Sequence, residues 1–104
     1  MPKFRKLPVV VEAEQLTWEN WDNICLFVPD PWFLTGCYIN KDGTTSNFPH
    51  TYPQEGSILG LKIKTLESNS FTAKETDWII KGVKGEFYAC DNEIFMKTYE
   101  EVKD

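Results

Sequence analysis

Residues 57–66, SILGLKIKTL, carry the clearest structural signal in the chain. Three apolar side chains, Leu59, Leu61 and Ile63, alternate with a glycine and two lysines. A period of two is typical of a strand with one buried face. The polar residues that follow, within LESNS, favour a turn. We therefore predict a hairpin whose second arm lies in residues 70–80, SFTAKETDWII.

Working outward from this hairpin, the sequence predicts further strands joined by short turns. FLTGCYIN, residues 33–40, is a strand that ends at KDGTT, where Asp42 and Gly43 are a strong hairpin signal. The stretch SNFPHTYPQE, residues 46–55, has two prolines and no period, which indicates an exposed loop. EFYAC, residues 86–90, is another predicted strand.

The first predicted strand is residues 8–16, PVVVEAEQL. Its three consecutive valines precede an alternating part, so one end of the strand is expected to be buried on both faces. We take Glu12 and Glu14, which share a face of this strand, as solvated carboxylates rather than as an acid–base pair.

Two segments have helical periodicity. In residues 17–28, TWENWDNICLFV, Thr17 is a candidate cap for a helix of about three turns, which Pro29 and Pro31 end. Its expected buried face consists of Trp18, Trp21, Ile24, Cys25 and Val28. In residues 91–104, Asp91 is the expected cap, and the expected face consists of Ile94, Phe95, Thr98, Tyr99 and Val102.

These elements predict an α+β fold. A chain of 104 residues has room for one hydrophobic core, so residues 1–104 are expected to form a single domain. Short connections between consecutive strands favour an antiparallel sheet. We predict a small antiparallel sheet of about five to six strands with two packed helices.

Composition excludes several classes of protein. The chain is 41% hydrophobic and 14% aromatic with a formal charge of −5, which is typical of a soluble globular domain and argues against general DNA binding. No apolar run approaches the roughly 18 residues of a membrane helix, and no signal peptide is evident, so we expect no membrane association and a cytoplasmic location. If the first strand lies beside residues 81–85, Lys3, Arg5 and Lys6 form a local basic patch with Lys81 and Lys84.

The reactive side chains do not form a catalytic or metal-binding pattern. Cys25, Cys37 and Cys90 lack CxxC spacing, so we expect free, mostly buried thiols and neither a disulfide framework nor a zinc site. His50, the only histidine, lies in the proline-containing loop and is expected to be exposed. The sequence predicts a protein that is not an enzyme and uses no metal or cofactor.

The segment KGVKG, residues 81–85 and here called the KGVKG turn, has two interpretations. Gly82 and Gly85 would let backbone amides approach a ligand, and Lys81 and Lys84 would supply positive charge, as in phosphate sites. Alternatively, two glycines make a plain turn that two lysines keep soluble. The pattern alone leaves both open.

Aromatic residues near the KGVKG turn could complete a binding site. Phe87 and Tyr88 follow it directly, and either ring could stack on a nucleobase. Trp18 and Trp32 lie at element boundaries, where a ring can be half exposed. We keep Trp18 as a weaker candidate for an opposite wall, and Arg5 as an additional candidate for the site.

Over nearly its whole length, the chain resembles a group of small proteins encoded by bacteriophages and prophages. The likeness is carried by MPKFRKLPVVVEAEQLT, by LKIKTLES and, most specifically, by DWIIKGVKGEFYACDNEIFMKTYE. Members of the group have Pro-Gly-Asp where this chain has Glu75, Thr76 and Asp77. They have Pro-Cys-Lys-Pro where this chain has residues 89–92, ACDN. The departures remove turn-forming residues and one lysine.

The resemblance implies a phage accessory protein acting in the host cytoplasm. Some small phage proteins capture cyclic oligonucleotide or cyclic ADP-ribose-type immune signals at subunit interfaces without cleaving them. We therefore expect a homo-oligomer that sequesters a small phosphorylated nucleotide and blocks host antiviral defence. The alternatives are an inhibitor that docks on a host enzyme through Trp32 and Tyr52, or a structural or morphogenetic phage protein.

Overall fold

The computed structural model describes residues 1–5, 8–47 and 56–102. These residues form seven strands and two helices, in the order β1 Glu12–Gln15, α1 Trp21–Phe27, β2 Phe33–Ile39, β3 Thr45–Asn47, β4 Ile58–Lys64, β5 Ser70–Lys74, β6 Trp78–Lys81, β7 Phe87–Cys90 and α2 Asn92–Thr98. All pairings are antiparallel, in a four-stranded sheet β3-β2-β4-β5 and a three-stranded sheet β1-β6-β7. The predicted α+β class is confirmed, with the strands divided between two sheets.

Strand β4 is central in the four-stranded sheet, as its alternation predicts. Leu59, Leu61 and Ile63 are fully buried. On the opposite face, a Cβ at Gly60 would lie 2.9 Å from the Sγ of Cys37, so this position requires a glycine for the strands to pack closely. β4 pairs with β2 on one side and with β5 on the other.

The predicted hairpin at Asp42 and Gly43 is confirmed. Strands β2 and β3 pair antiparallel across it, with Ile39 opposite Thr45. Gly43 has a φ of +89°, and Asp42 Oδ1 accepts a hydrogen bond from the backbone N–H of Thr44 at 3.0 Å. The N–H of Asn40 also donates to the carbonyl of Thr44 at 2.7 Å, so the turn is held by residues close together in the sequence. Most of the predicted loop after it, including His50 and Tyr52, lies outside the described residues.

The predicted strand in residues 70–80 is interrupted, because the chain changes sheets at a turn. Thr76 has a φ of +77°. The carboxylate of Asp77 accepts hydrogen bonds from the backbone N–H of Lys74 at 3.0 Å and from its Nζ at 3.1 Å. This buried carboxylate closes the turn, so β5 ends in one sheet and β6 begins in the other.

The predicted strand over residues 8–16 is too long, and its valines are not buried. β1 contains only Glu12–Gln15, and Val9 and Val10 are 51% and 77% exposed. The reason lies in the partner strand. Glu12 is opposite Lys81, the last residue of β6, and the chain then turns away, so the valines extend beyond the paired part of the sheet.

Helix α1 is shorter than the predicted three turns. It begins at Trp21, and Thr17 is not its cap; Thr17 Oγ1 instead accepts from the N–H of Asn20 at 3.1 Å in the preceding turn. Ile24 and Val28 are buried as predicted, but Cys25 is exposed. The prediction of mostly buried thiols is therefore wrong for Cys25. The end of the helix before Pro29 is confirmed.

Helix α2 begins as predicted at Asp91, whose Oδ1 accepts from the N–H groups of Glu93 and Ile94 at 2.9 and 3.4 Å. Only part of its predicted face is correct. Phe95 is half-buried, whereas Ile94 and Val102 are exposed. The helix covers the side of the three-stranded sheet on which Trp78 lies, and the rings of Trp78 and Phe95 stack at 4.2 Å.

The core lies between the two sheets and α1. Its buried residues come from all three: Leu16, Ile24, Val28, Leu59, Leu61, Ile63, Ala73, Ile79 and Phe87. Trp21, Phe27, Trp32 and Phe33 pack against this cluster at its edge. In the part of the chain that the structure describes, neither helix has the length and apolarity needed to cross a membrane.

Candidate functional site

The KGVKG turn joins β6 to β7 and is closed by its own backbone. The N–H of Gly82 donates to the carbonyl of Glu86 at 2.7 Å, and the N–H of Gly85 donates to the carbonyl of Gly82 at 3.0 Å. Gly85 has a φ of +82°, a backbone conformation that residues other than glycine rarely adopt. The segment is thus a tight hairpin turn, as both interpretations of the sequence require.

The side chain of Glu86 lies over this turn. A Cβ built on Gly82 would collide with its carboxylate, and Oε1 accepts from the backbone N–H of Lys84 at 3.4 Å. The carboxylate therefore occupies the space above the amides that a phosphate would need. Any anion bound here by the backbone would first have to displace Glu86.

The residues in and beside the turn differ in exposure. Lys81 and Lys84 are both exposed, as a phosphate-binding role requires. Phe87, in contrast, is only 4% exposed and packs edge-on against Phe27, with ring centroids 5.5 Å apart. Because the core surrounds its ring, Phe87 has no free face for a base in this structure. It belongs to the floor of the neighbouring groove.

A groove of about 460 Å³ lies beside the KGVKG turn, and we call it the hairpin groove. It is lined by Glu12, Leu26, Phe27, Pro29, Trp32, Lys81, Gly85 and Phe87. It thus brings together the end of α1, the start of β1 and the β6–β7 hairpin. Three predicted site residues, Lys81, Gly85 and Phe87, are among its lining residues.

Charge in the hairpin groove is balanced rather than positive. Glu12 and Lys81 are direct neighbours on adjacent antiparallel strands, so their side chains lie on the same face of the sheet. Oppositely charged neighbours of this kind attract each other. The positive charge of Lys81 is therefore offset by a negative charge on the neighbouring strand, and the groove alone does not concentrate positive potential.

Trp32 supplies the main aromatic surface of the hairpin groove. Its ring is partly buried, and its centroid is 6.4 Å from that of Phe87. The sequence left open whether the ring of Trp32 is half exposed, and the structure makes it so. A ring held at one side by the core and open at the other can stack on a flat ligand.

Tyr88 lies on the other side of the three-stranded sheet from Phe87. It is opposite Ile80, and its hydroxyl interacts with Tyr99, which follows α2. Burial, followed by the hydrogen bond with Tyr99, raises the pKa of Tyr88 to about 12. Since α2 lies on this side, Tyr88 does not line the hairpin groove.

The remaining predicted site residues are separated from the groove. Trp18 is half-buried in the turn before α1, and Gly82 and Lys84 are not among the groove's lining residues. Arg5 is exposed in the segment before β1. The predicted basic patch includes Lys6, which lies outside the described residues. The structure therefore does not bring the eight predicted residues into one site.

The thiols of the described chain are poor nucleophiles. Burial raises the pKa of Cys37, and burial together with the nearby carboxylate of Asp22 raises that of Cys25. Burial likewise raises the pKa of Cys90, as do the carboxylates of Asp91 and Asp77. A raised pKa reduces the thiolate fraction at neutral pH. Among residues 1–5, 8–47 and 56–102, no three His, Cys, Asp or Glu side chains are grouped as a metal site.

Sequence reasoning missed four of the groove's lining residues as members of a site. Leu26 and Phe27 were interpreted only as part of a helix, Pro29 as a helix stop and Glu12 as a solvated carboxylate. A signal was available for Leu26, because an exposed leucine in the last turn of an amphipathic helix lies off the buried face. The proximity of Glu12 to Lys81 depends on strand pairing that no local pattern reveals.

Comparisons of the chain with protein-family models, with curated proteins and with solved structures gave no match. The resemblance to small phage proteins accordingly stays a prediction from the quoted segments. What the chain does has to be argued from the hairpin groove and its surroundings.

Proposed function

We propose that the protein binds a small phosphorylated nucleotide in the hairpin groove and holds it without chemical change. In the biological setting that the phage resemblance suggests, binding would sequester a cyclic oligonucleotide or cyclic ADP-ribose-type signal and blunt a host defence system. The observation that carries the proposal is the position of Lys81 and Trp32 in the lining of one groove.

Size and chemistry support a ligand of this kind. The volume of about 460 Å³ lies within the range of roughly 300–1,000 Å³ that is usual for small-molecule sites. Trp32 offers an aromatic surface for a base, and Lys81 offers an ammonium group for a phosphate. Gly85 brings a stretch of backbone without a side chain to the same lining.

The lining also favours binding over catalysis. Its described members provide one ammonium and one carboxylate and otherwise apolar side chains or glycine. A nucleophile with an adjacent base, the usual requirement for covalent catalysis, is not formed by these side chains. Glu12 would oppose a phosphate, so a tightly bound anion needs a further cation, which the exposed Lys84 could provide from the adjacent turn.

A ligand screen tests this proposal. Thermal shift and calorimetry against cyclic dinucleotides, cyclic trinucleotides and cyclic ADP-ribose isomers should find a compound that raises the melting temperature, because ligand binding stabilises the folded state. Trp32→Phe should weaken binding of that compound, whereas Trp18→Phe, outside the groove, should not. The proposal is wrong if none of these compounds changes the melting temperature or gives a binding isotherm.

A second candidate function is docking on a host protein. Leu26, in the groove lining, is 83% exposed, and Val83, at the tip of the KGVKG turn, is 77% exposed. Exposed apolar side chains around an aromatic groove are common in protein interfaces. If this function is correct, a pull-down from host lysate retains a stoichiometric protein partner after nucleotide is removed. Leu26→Glu should abolish retention of that partner, whereas Leu66→Glu, at an exposed leucine of the β4–β5 turn, should not.

A further inference from the structure

The edge of the three-stranded sheet offers a site for association. Within the described residues, β1 pairs only with β6, so no strand lies on its other edge. The carbonyl of Gln15, at the end of β1, accepts from the side-chain amide of Asn20 at 2.8 Å, which leaves Glu12–Glu14 as the part open to another strand. An edge strand of this kind is a template for pairing with another chain. Any strand that pairs there would extend the sheet to four strands.

The segment before β1 is suited to such pairing. Residues 1–5 and 8–10 are all exposed, and Phe4 is 93% exposed. These residues lie outside any strand, and exposed backbone of this kind can add to the edge of another sheet.

Charge separates this segment from the rest of the chain. Lys3, Arg5 and Lys6 precede β1 with no acidic residue among them. The chain has 11 basic and 16 acidic residues. The other eight basic residues and all 16 acidic residues lie in residues 12–104, which therefore have a formal charge of −8. A basic segment and an acidic body of the same chain are complementary when two copies meet.

We propose that two copies associate by placing residues 3–5 of each on the free edge of β1 of the other, antiparallel. In this register Arg5 is opposite Glu12, Phe4 is opposite Ala13 and Lys3 is opposite Glu14 of the second copy. Basic residues two positions apart then meet acidic residues two positions apart, on one face of the extended sheet. Two-fold symmetry produces each pair twice.

The face on which these charges meet includes the hairpin groove. Glu12 is opposite Lys81 on one side, and Arg5 of the second copy would lie opposite it on the other. The carboxylate would then have a cation on each side. The pairing stands independently of any ligand; its consequence for the groove, a second positive charge beside Lys81, rests on the proposed function.

The test uses charge reversal and mixing. Sedimentation equilibrium of the unmodified protein should show a dimer whose Kd rises with salt, because exposed ion pairs are screened. In homodimers of Arg5→Glu, or of Glu12→Arg, two attractive pairs become repulsive, and we expect Kd to rise about tenfold or more. When the two single variants are mixed, both pairs in the heterodimer are attractive, and association should return.

Controls make the register falsifiable. Lys41→Glu makes the same change of charge at an exposed position of the β2–β3 turn and should leave Kd unchanged. The double variant Arg5→Glu with Glu12→Arg should dimerise alone, which covers the case in which one single variant folds poorly. The proposal is overturned if the unmodified protein is monomeric at all concentrations, if mixing restores nothing, or if Lys41→Glu weakens association as much as Arg5→Glu.

Discussion

The carboxylate of Glu86 lies against the Cα of Gly82, in the space that any larger residue at that position would need. The two residues also share the backbone hydrogen bond that closes the turn, from the N–H of Gly82 to the carbonyl of Glu86 at 2.7 Å. The carboxylate of Glu86 thus occupies the space over a turn that contains two lysines. Gly82 and Glu86 form a structural pair before any ligand is considered.

Replacing Gly82 with alanine should therefore act through Glu86. The new methyl group forces the flexible carboxylate to move and removes its contact with the N–H of Lys84, at a cost of about 0.5–1 kcal/mol. Urea unfolding of Gly82→Ala, Glu86→Ala and the double variant measures the coupling. In the Glu86→Ala background the alanine should cost little. Strictly additive effects would contradict the pairing.

The two lysines of the turn should differ in their effect on ligand binding. Lys81 lines the hairpin groove and Lys84 does not, although both are exposed. Lys81→Ala should weaken binding of a phosphorylated ligand tenfold or more, because a charge-assisted contact contributes about 1.5–3 kcal/mol. Lys84→Ala should weaken it less.

The stability of the two lysine variants shows whether a loss of binding reflects the ligand contact or the fold. Substitution of exposed lysines changes the free energy of unfolding by no more than about 0.5 kcal/mol, so both variants should melt where the parent does. Calorimetric titration of each variant at two salt concentrations then reports binding alone. Equal affinity in Lys81→Ala and the parent protein would show that the groove does not bind phosphate through this residue.

The parts of the fold that the sequence predicted are those set by neighbouring residues. The alternation in β4, the turn at Gly43 and the cap at Asp91 each depend on residues a few positions apart, so a local pattern is sufficient. The interruption between β5 and β6 depends on one buried carboxylate, Asp77, which bonds to Lys74. Nothing in the alternation of residues 70–80 distinguishes that turn from a continuous strand.

The candidate site was less predictable, for a related reason. Lys81 and Gly85 could be selected because glycines and lysines close together are typical of phosphate sites. Glu12 and Trp32 come from distant parts of the chain and join the groove only through β1–β6 pairing and the packing of residues after α1. The role of Glu86 depends on a side-chain conformation, which sequence patterns do not specify.

Asn92 should be important for attaching α2 to the three-stranded sheet. Its Oδ1 accepts from Trp78 Nε1 at 2.8 Å and from Gln15 Nε2 at 3.2 Å. Asn92→Ala leaves the indole N–H without this acceptor and should lower the free energy of unfolding by about 1–2 kcal/mol. Asn92→Asp is the matched control, since it keeps the acceptor and adds a negative charge at a helix N-terminus. Equal losses in both variants would contradict this role.

The raised pKa of Tyr88 predicts how stability changes in alkali. In the unfolded chain the phenol has its ordinary value of 10.0, whereas in the folded protein burial and the hydrogen bond with Tyr99 raise the pKa to about 12. Between these two pH values the unfolded state has lost the proton and the folded state retains it. Stability contributed by this group is therefore complete below about pH 10 and is lost as pH rises toward about 12.

Two substitutions separate this effect from the titration of lysines in the same range. Tyr88→Phe cannot ionise, so its loss of stability between about pH 10 and 12 should be smaller than that of the parent. Tyr99→Phe keeps the titrating group but removes its hydrogen-bond partner, so ultraviolet titration should find a lower pKa for Tyr88. Urea midpoints measured across this range would decide the matter. Parallel curves for the parent and Tyr88→Phe would mean that the phenol ionises alike in the folded and unfolded states.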